Sequence, residues 1–140
     1  MGKDLYDGIF IMTASKKKIL IIEDDVSMVK IYEKFFKDLF VCRFATRGEE
    51  GLKLADEFTP DIILLDLLMP GLDGYEVCRR LRKDPGFDGT VIVIISSRAI
   101  LEERLRGYEA GADDYLTKPF DPRELLAKIN VYSKFKRIPA

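Results

Sequence analysis

A chain of 140 residues with 47% hydrophobic and 34% charged side chains predicts one globular domain with a full core. The net charge of -1 gives no general attraction to nucleic acid or to an anionic membrane, so we expect neither as a partner. Histidine is absent, which excludes histidine nucleophiles, bases, metal ligands and phosphocarriers within this chain.

The short apolar runs and the two cysteines predict a cytoplasmic protein without a membrane-spanning helix. Every apolar run is far shorter than the roughly 20 residues that a membrane-spanning helix needs. Cys42 and Cys78 each lie inside an apolar pattern, which predicts reduced core residues and a cytoplasmic protein. Residues 1–15 are interpreted as an N-terminal extension, either disordered or left by cloning, because Met12 lies just before a lysine run.

Short apolar runs alternate with helical patterns along the rest of the chain. The runs predict five strands, at 18–23, 41–45, 61–66, 91–96 and 114–117. Apolar spacing predicts four helices between them, over 28–39, 52–58, 75–81 and 101–108, the last of which ends at Gly111. Asp121 and Pro122 predict the start of a fifth helix, as its N-cap and first helical residue. The whole predicts a flavodoxin-like (βα)5 doubly wound sandwich around a five-stranded parallel sheet, in strand order 2-1-3-4-5.

Acidic residues follow two of these strands. Glu23, Asp24 and Asp25 end the first strand, and Asp66 ends the third, at the sheet edge where open α/β folds bind ligands. Two unit charges about 4 Å apart repel by roughly 4 kcal/mol at an effective dielectric of 20, so such a cluster favours a bound cation. Mg²⁺ fits because it prefers a few carboxylates and keeps several waters. The alternative is that the acids cap the next helix, as Asp25 or Ser27 would.

Lys118 and Ser96 follow the last and fourth strands at the same predicted edge. Pro119 restricts the backbone before it to extended geometry, which fixes where Lys118 leaves the sheet. The ammonium there would balance the acids or hold a phosphoryl oxygen, and the Ser96 hydroxyl would donate to a bound oxyanion. The alternatives are an ordinary surface lysine and a helix cap shared by Ser96 and Ser97.

Three segments, at 21–25, 60–74 and 111–120, together resemble the CheY-like receiver domain of bacterial two-component response regulators. They contain Ile-Ile-Glu-Asp-Asp, the run from Pro60 through Asp66 to Gly74, and the run from Gly111 through Lys118 to Phe120. The resemblance implies a receiver domain at 16–137 without an attached output domain, followed by a C-terminal tail at 138–140.

The resemblance also implies a phosphoryl and metal site. Asp66 would be the phosphoacceptor, a carboxylate nucleophile that takes a phosphoryl group from a partner histidine. Asp24, Asp66 and the backbone carbonyl of Leu68 would bind Mg²⁺ directly, and Glu23 would bind it through water. Leu68 and Arg98 would flank the site and tune the lifetime of the phosphoryl group.

Three further roles follow from the same resemblance. Lys118 and Ser96 would act as catalytic groups that hold phosphoryl oxygens, and the Lys118–Pro119 peptide bond would be cis. Tyr115 would be an aromatic switch that turns inward when Ser96 is drawn toward the phosphate. Serine replaces the family's commoner threonine at position 96 and lacks the methyl that stiffens χ1, so we expect looser coupling to Tyr115.

The implied function is a phosphorylation-dependent switch, with no enzyme activity beyond self-phosphotransfer and autodephosphorylation. A sensor histidine kinase or a histidine phosphotransfer protein would supply the phosphoryl group. The switch could in this way be one step of a phosphorelay. Phosphorylation would change partner or dimer contacts on the fourth helix, last strand and fifth helix. Four charged side chains there would pair across a symmetric dimer: Arg104, Asp114, Glu124 and Lys128. A solvated surface is the alternative.

Three other interpretations remain open from the sequence. One is a Mg²⁺-dependent phosphatase or other hydrolase, which would need a substrate pocket and usually a general acid. Another is an interaction module that keeps the fold but never takes phosphate. The third is a receiver excised from a larger regulator or hybrid kinase, with a linker starting near Lys134.

Overall fold

The computed structural model describes residues 16–134 and the backbones of two short strands, Lys3–Tyr6 and Ile9–Met12. These two strands pair antiparallel as a hairpin, separate from the main sheet. The predicted tail at 138–140 and the predicted end of the domain, 135–137, lie outside the described residues. Within the part of the chain that is described, no helix combines the length and the apolar character needed to cross a membrane.

Five parallel strands form the main sheet. They are β1 (Lys18–Ile22), β2 (Val41–Ala45), β3 (Ile62–Asp66), β4 (Val91–Ser96) and β5 (Asp114–Thr117). Their order in the sheet is β2-β1-β3-β4-β5, and every pairing is parallel, so the predicted topology is confirmed. All bounds fall within one residue of those predicted. The runs in β1 and β3 are continuously apolar because both faces of these central strands are buried.

Helices cover both faces of the sheet. One face carries α1 (Val26–Phe36) and α5 (Pro122–Tyr132), and the other carries α2 (Gly48–Phe58), α3 (Gly74–Lys83) and α4 (Leu101–Ala110). The predicted start of α5 is confirmed, with Asp121 as N-cap. A 3₁₀ turn at Pro85–Phe87, which the sequence pattern did not predict, follows α3.

Strand side chains alternate between two hydrophobic cores. Leu20 and Ile22 point toward α2, α3 and α4, whereas Ile19 and Ile21 point toward α1 and α5. Each of these four side chains is at most 1% exposed. Burying one such side chain stabilises the fold by about 1.5–3 kcal/mol. The two cores therefore hold the central strands, and the loops that follow them, in a fixed register.

The α4 helix departs from the usual relation between apolar spacing and burial. The large apolar side chains of α4 and of its N-cap define the α4 apolar surface, and all are at least 44% exposed: Ile100, Leu101, Leu105 and Tyr108. The residues that α4 buries are small ones, Gly107 and Ala110. A Cβ at Gly107 would lie 3.0 Å from Ile94 Cδ1, so the helix approaches the sheet closely there. The predicted helix is present, but its apolar stripe faces outward.

Candidate functional site

Three carboxylates meet where β1 and β3 end. Each of Glu23, Asp24 and Asp66 offers an oxygen, and these oxygens all lie within 4.8 Å of one another. They meet because β1 and β3 are neighbours in parallel register, so that Ile22 pairs with Leu65 and the next residues leave the sheet together. Glu23 is 2% exposed and Asp66 7%, while Asp24 is exposed. The cluster is therefore partly buried, with one carboxylate facing the solvent.

Asp25, the next acid along the chain, has a different place. It is the N-cap of α1, and its Oδ1 accepts a hydrogen bond of 2.9 Å from the backbone N–H of Ser27. Its own backbone N–H donates to Glu23 Oε2 at 3.2 Å. The helix-cap alternative therefore holds for Asp25, and this cap helps to orient the Glu23 carboxylate.

Lys118 reaches the acidic cluster from the end of β5. Its Nζ lies 2.8 Å from Glu23 Oε1 and 3.8 Å from Asp66 Oδ1. Its backbone N–H donates to the Ser96 carbonyl at 2.8 Å, and the Lys118–Pro119 bond is cis, as predicted. With the carboxyl groups ionised, three negative charges and one positive charge leave a net charge of -2. A single divalent cation would neutralise this set of hard oxygen donors, so the residues fit Mg²⁺.

Asp66 has an unusual electrostatic environment. Burial and, after it, the charge of Glu23 together raise the pKa of Asp66 to about 7, against the opposing charge of Lys118. The Leu68 N–H donates to Asp66 Oδ1 at 3.4 Å, a long hydrogen bond that favours the ionised form only weakly. An ionised Asp66 is therefore poorly compensated by its protein neighbours, and a cation would be the natural counter-charge.

Ser96 and Tyr115 are linked through Arg98. Ser96 is fully buried, and its Oγ accepts a hydrogen bond of 3.1 Å from the Arg98 N–H. Ser96 does not cap α4, because the N-cap of that helix is Ile100 and has no side-chain hydrogen bond. The Tyr115 ring is only 7% exposed, and its hydroxyl donates to the Arg98 carbonyl at 2.7 Å. Tyr115 thus lies inward, while its role as a switch stays a prediction.

Sequence reasoning missed a second polar group beside the site. The Tyr75 hydroxyl donates to Glu103 Oε2 at 2.5 Å, and Arg98 Nη1 lies 3.0 Å from Glu103 Oε1. The Arg106 guanidinium lies 4.1 Å from the centroid of the Tyr75 ring. These side chains line a cleft of about 190 Å³ that reaches Leu68. In the sequence, Tyr75 occupies one of the apolar positions that predict α3. This position indicates a buried ring and does not reveal the hydrogen bond of its hydroxyl.

The four charges predicted for a dimer face lie on α4, β5 and α5. Arg104 and Glu124 are exposed. Asp114, however, is bonded within the chain, to Lys128 Nζ at 3.2 Å and to the Tyr132 hydroxyl. A charge pair across a dimer through Asp114 or Lys128 would compete with these internal contacts.

Gly74→Ala is expected to destabilise the chain although alanine favours helices. A Cβ at Gly74 would lie 2.8 Å from the Asp66 carbonyl oxygen and 2.9 Å from Leu67 Cα, and these backbone atoms cannot rotate away. Overpacking costs about 1–3 kcal/mol. The helix gain of alanine over glycine is about 1 kcal/mol. We expect a net loss of up to about 2 kcal/mol in urea denaturation, together with weaker Mg²⁺ binding.

Gly89→Ala is the matched control for this change, because nothing lies within 4 Å of a Cβ there. It should leave the free energy of unfolding within about 0.5 kcal/mol of wild type. Equal stability of the two variants would show that the contact between α3 and the Asp66 backbone is not tight.

Comparison with known proteins identifies the class of this fold and site. The family model of the response regulator receiver domain matches residues 19–130, most of the chain. This chain belongs to the response regulator receiver domain family. Receiver domains are signalling domains of two-component systems, which bind Mg²⁺ at an acidic pocket and work with histidine kinases or phosphotransfer proteins.

Several curated relatives are similar to the chain. The ycf27 protein of Guillardia theta is 40% identical over 116 residues, which are 82% of this chain and 44% of that protein. RpaA of Synechocystis, a DNA-binding dual master transcriptional regulator, is 36% identical over 124 residues, 87% of this chain and 52% of RpaA. The response regulator PleD of Caulobacter vibrioides is 37% identical over 122 residues, 86% of this chain and 27% of PleD. The chain spans about half the length of these relatives or less.

Solved receiver structures share the fold. The BeF3-activated DrrB receiver domain has a TM-score of 0.76 and 32% identity, covering 86% of this chain and all of that one. The chemotaxis protein CheY4 of Vibrio cholerae has a TM-score of 0.80 and 26% identity, covering 84% of this chain and 99% of CheY4. The CheY-like, flavodoxin-like fold is therefore that of the family.

Proposed function

We propose that this chain is a phosphorylation-dependent switch that accepts a phosphoryl group on Asp66 from a histidine of a partner kinase or phosphotransfer protein. The observation that supports it best is the convergence of Asp66, Glu23, Asp24 and Lys118 at one edge of the sheet. Phosphoryl transfer needs positioning and charge neutralisation more than covalent machinery, and these residues supply both. Since residues 1–140 contain no histidine, the donor histidine lies outside them.

The metal has a defined set of candidate ligands in this proposal. Asp24, Asp66 and the carbonyl of Leu68 would bind Mg²⁺ directly, and Glu23 would bind it through water. When bound, the ion would neutralise charge that develops on the transferred group. The buried ion pair between Glu23 and Lys118 would keep the Glu23 carboxylate oriented toward the cluster.

The transfer itself follows from the nucleophile. An Asp66 carboxylate oxygen forms the new P–O bond, and the P–N bond to the partner's histidine breaks, so that its electron pair returns to the imidazole. Lys118, whose Nζ is 3.8 Å from Asp66 Oδ1, is close enough to hold a phosphoryl oxygen. The Ser96 hydroxyl would donate to another one. The product is an acyl phosphate, and its loss to water would reset the switch.

The output of the switch is assigned to the face formed by α4, β5 and α5. Tyr115, on β5, contacts the loop that leads into α4, and the α4 apolar surface lies on the outside of that helix. Exposed apolar side chains in a contiguous patch are typical of a contact surface. Phosphorylation would change partner or dimer contacts there.

The buried Cys78 and half-buried Cys42 agree with reduced cysteines and a cytoplasmic location.

Phosphoramidate, which carries a P–N bond as phosphohistidine does, tests this proposal. With Mg²⁺, the intact mass of the chain should increase by one phosphoryl group per chain, and the label should be stable in acid and labile in base. Chelation of Mg²⁺ should prevent labelling. Many turnovers of a phosphate ester without a stable label would favour the hydrolase alternative. The absence of any label in the presence of Mg²⁺ would favour the interaction module.

A further inference from the structure

A bridge of three side chains holds the loop between β4 and α4. Tyr75 lies in the first turn of α3, Arg98 in the loop at 97–100, and Glu103 in the first turn of α4. Each Glu103 carboxylate oxygen has its own donor, with Tyr75 on Oε2 at 2.5 Å and Arg98 on Oε1 at 3.0 Å. The Tyr75 hydroxyl also lies 3.1 Å from the Glu103 carbonyl. We call this set of contacts the Glu103 clamp.

The two bonds of the clamp differ in environment. Tyr75 is 5% exposed, and the Glu103 side chain is 17% exposed, so their charge-assisted bond is partly shielded from water. The Arg98 side chain is 53% exposed, and an ion pair in that position contributes less. The Arg106 guanidinium covers the Tyr75 ring at 4.1 Å. The bond between Tyr75 and Glu103 is therefore the stronger part of the clamp.

Arg98 connects the clamp to the phosphoryl site through its backbone. Its N–H donates to Ser96 Oγ at 3.1 Å, and its carbonyl accepts the Tyr115 hydroxyl at 2.7 Å. Its guanidinium is the group that Glu103 binds. Ser96 lacks the methyl group that stiffens χ1 in threonine. The clamp adds a further constraint on the same loop, from two neighbouring helices.

The geometry points to Tyr75 and Glu103 as positioning residues that hold the Arg98 carbonyl where the inward Tyr115 hydroxyl binds it, and so strengthen phosphoryl binding at Asp66. This inference rests on the proposed function. A phosphoryl group on Asp66 is proposed to stabilise the inward position of Tyr115. By linkage, any other contact that stabilises the same position then strengthens phosphoryl binding. Neither Tyr75 nor Glu103 contacts the acidic cluster in the described contacts, so their effect passes through the loop.

The test uses Glu103→Gln and Tyr75→Phe, with Glu102→Gln as the matched control. Glu102 is an exposed acid in the same turn of α4, so its variant makes the same charge change outside the clamp. The Tyr115 ring is observed by NMR with carbon-13 tyrosine in metal-free protein. Affinity is then measured by titration with beryllofluoride, which stands in for the phosphoryl group, in the presence of Mg²⁺.

In Glu103→Gln, the Tyr115 ring signal should shift or broaden, and beryllofluoride affinity should fall by up to about tenfold, the limit set by the loss of one charge-assisted bond. Tyr75→Phe keeps the packing of the ring and should change both readouts in the same direction. Glu102→Gln should match wild type. The effect of the double variant should be smaller than the sum of the two single effects, because both substitutions weaken the bond between Tyr75 and residue 103.

The inference is overturned if Glu103→Gln and Tyr75→Phe lower thermal stability but leave the Tyr115 signal and beryllofluoride affinity as in wild type. That outcome would make the clamp a purely structural contact. It is also overturned if Glu102→Gln has the same effect, since the cause would then be net charge. If wild type itself binds no beryllofluoride, the proposed function fails, and the Tyr115 signal in metal-free protein alone decides whether the clamp holds the loop.

Discussion

Asp66→Asn is expected to abolish covalent phosphorylation, with a loss of rate at least on the order of 10³-fold. The carboxamide keeps the shape of the side chain and still accepts the Leu68 N–H, but it is not a carboxylate nucleophile. It also removes one negative charge from the cluster with Glu23 and Asp24, so Mg²⁺ binding should weaken. Intact mass after incubation with phosphoramidate or with a phosphorylated histidine kinase measures the loss.

Asp61→Asn provides the matched control because Asp61 precedes the same strand, at its opposite end. Its Oδ2 accepts the backbone N–H of Lys18 at 2.8 Å, at the amino edge of the sheet. This variant should be labelled at the wild-type rate, although its stability will fall slightly. A stable label on Asp66→Asn would contradict the assignment of the nucleophile, and mapping that label would identify the residue that accepts it.

The acidic cluster could be predicted from sequence because parallel strands fix where their ends meet. The apolar runs of β1 and β3 pair in register, so Glu23 and Asp66 must lie side by side at the carboxyl edge of the sheet. Lys118 could be placed because it directly follows β5. The different place of Asp25 could not be decided in advance, since a site residue and a helix cap have the same sequence signature.

The outward face of α4 shows what apolar spacing leaves undetermined. Leu101, Leu105 and Tyr108 gave the correct helix, but Gly107 and Ala110 turn toward the sheet. Small residues give little signal in a hydrophobic pattern, yet they allow the closest approach of a helix to its neighbours. The side that α4 buries is therefore decided by packing against β4 and β5.

The Glu103 clamp was missed for a related reason. It joins residues 28 positions apart on two helices, α3 and α4, and it depends on how these helices lie against each other. No local pattern encodes that arrangement. Contacts of this kind depend on how helices pack in three dimensions, whereas the acidic cluster follows from the topology.

Unfolding measurements on metal-free protein should show that stability falls as the pH rises from about 4 to about 7. The pKa of Asp66 is raised to about 7 in the folded chain, above its ordinary value of 3.8. Between these two values the folded chain keeps a proton that the unfolded chain has lost, so a rising pH favours unfolding. At about 1.4 kcal/mol per pKa unit, the loss over this window is at most about 4.5 kcal/mol.

Asp66→Asn should remove most of this pH dependence. Above pH 7 this variant should be more stable than wild type, because position 66 then has no carboxyl group that must ionise beside Glu23. Asp121, whose pKa is lowered to about 2 by Arg123, acts in the opposite sense but only below about pH 4, outside this window. Asp61→Asn should keep the wild-type slope. If Mg²⁺ binds the ionised cluster as proposed, its stabilising effect should grow as the pH rises. An unchanged slope in Asp66→Asn would assign the pH dependence to other groups.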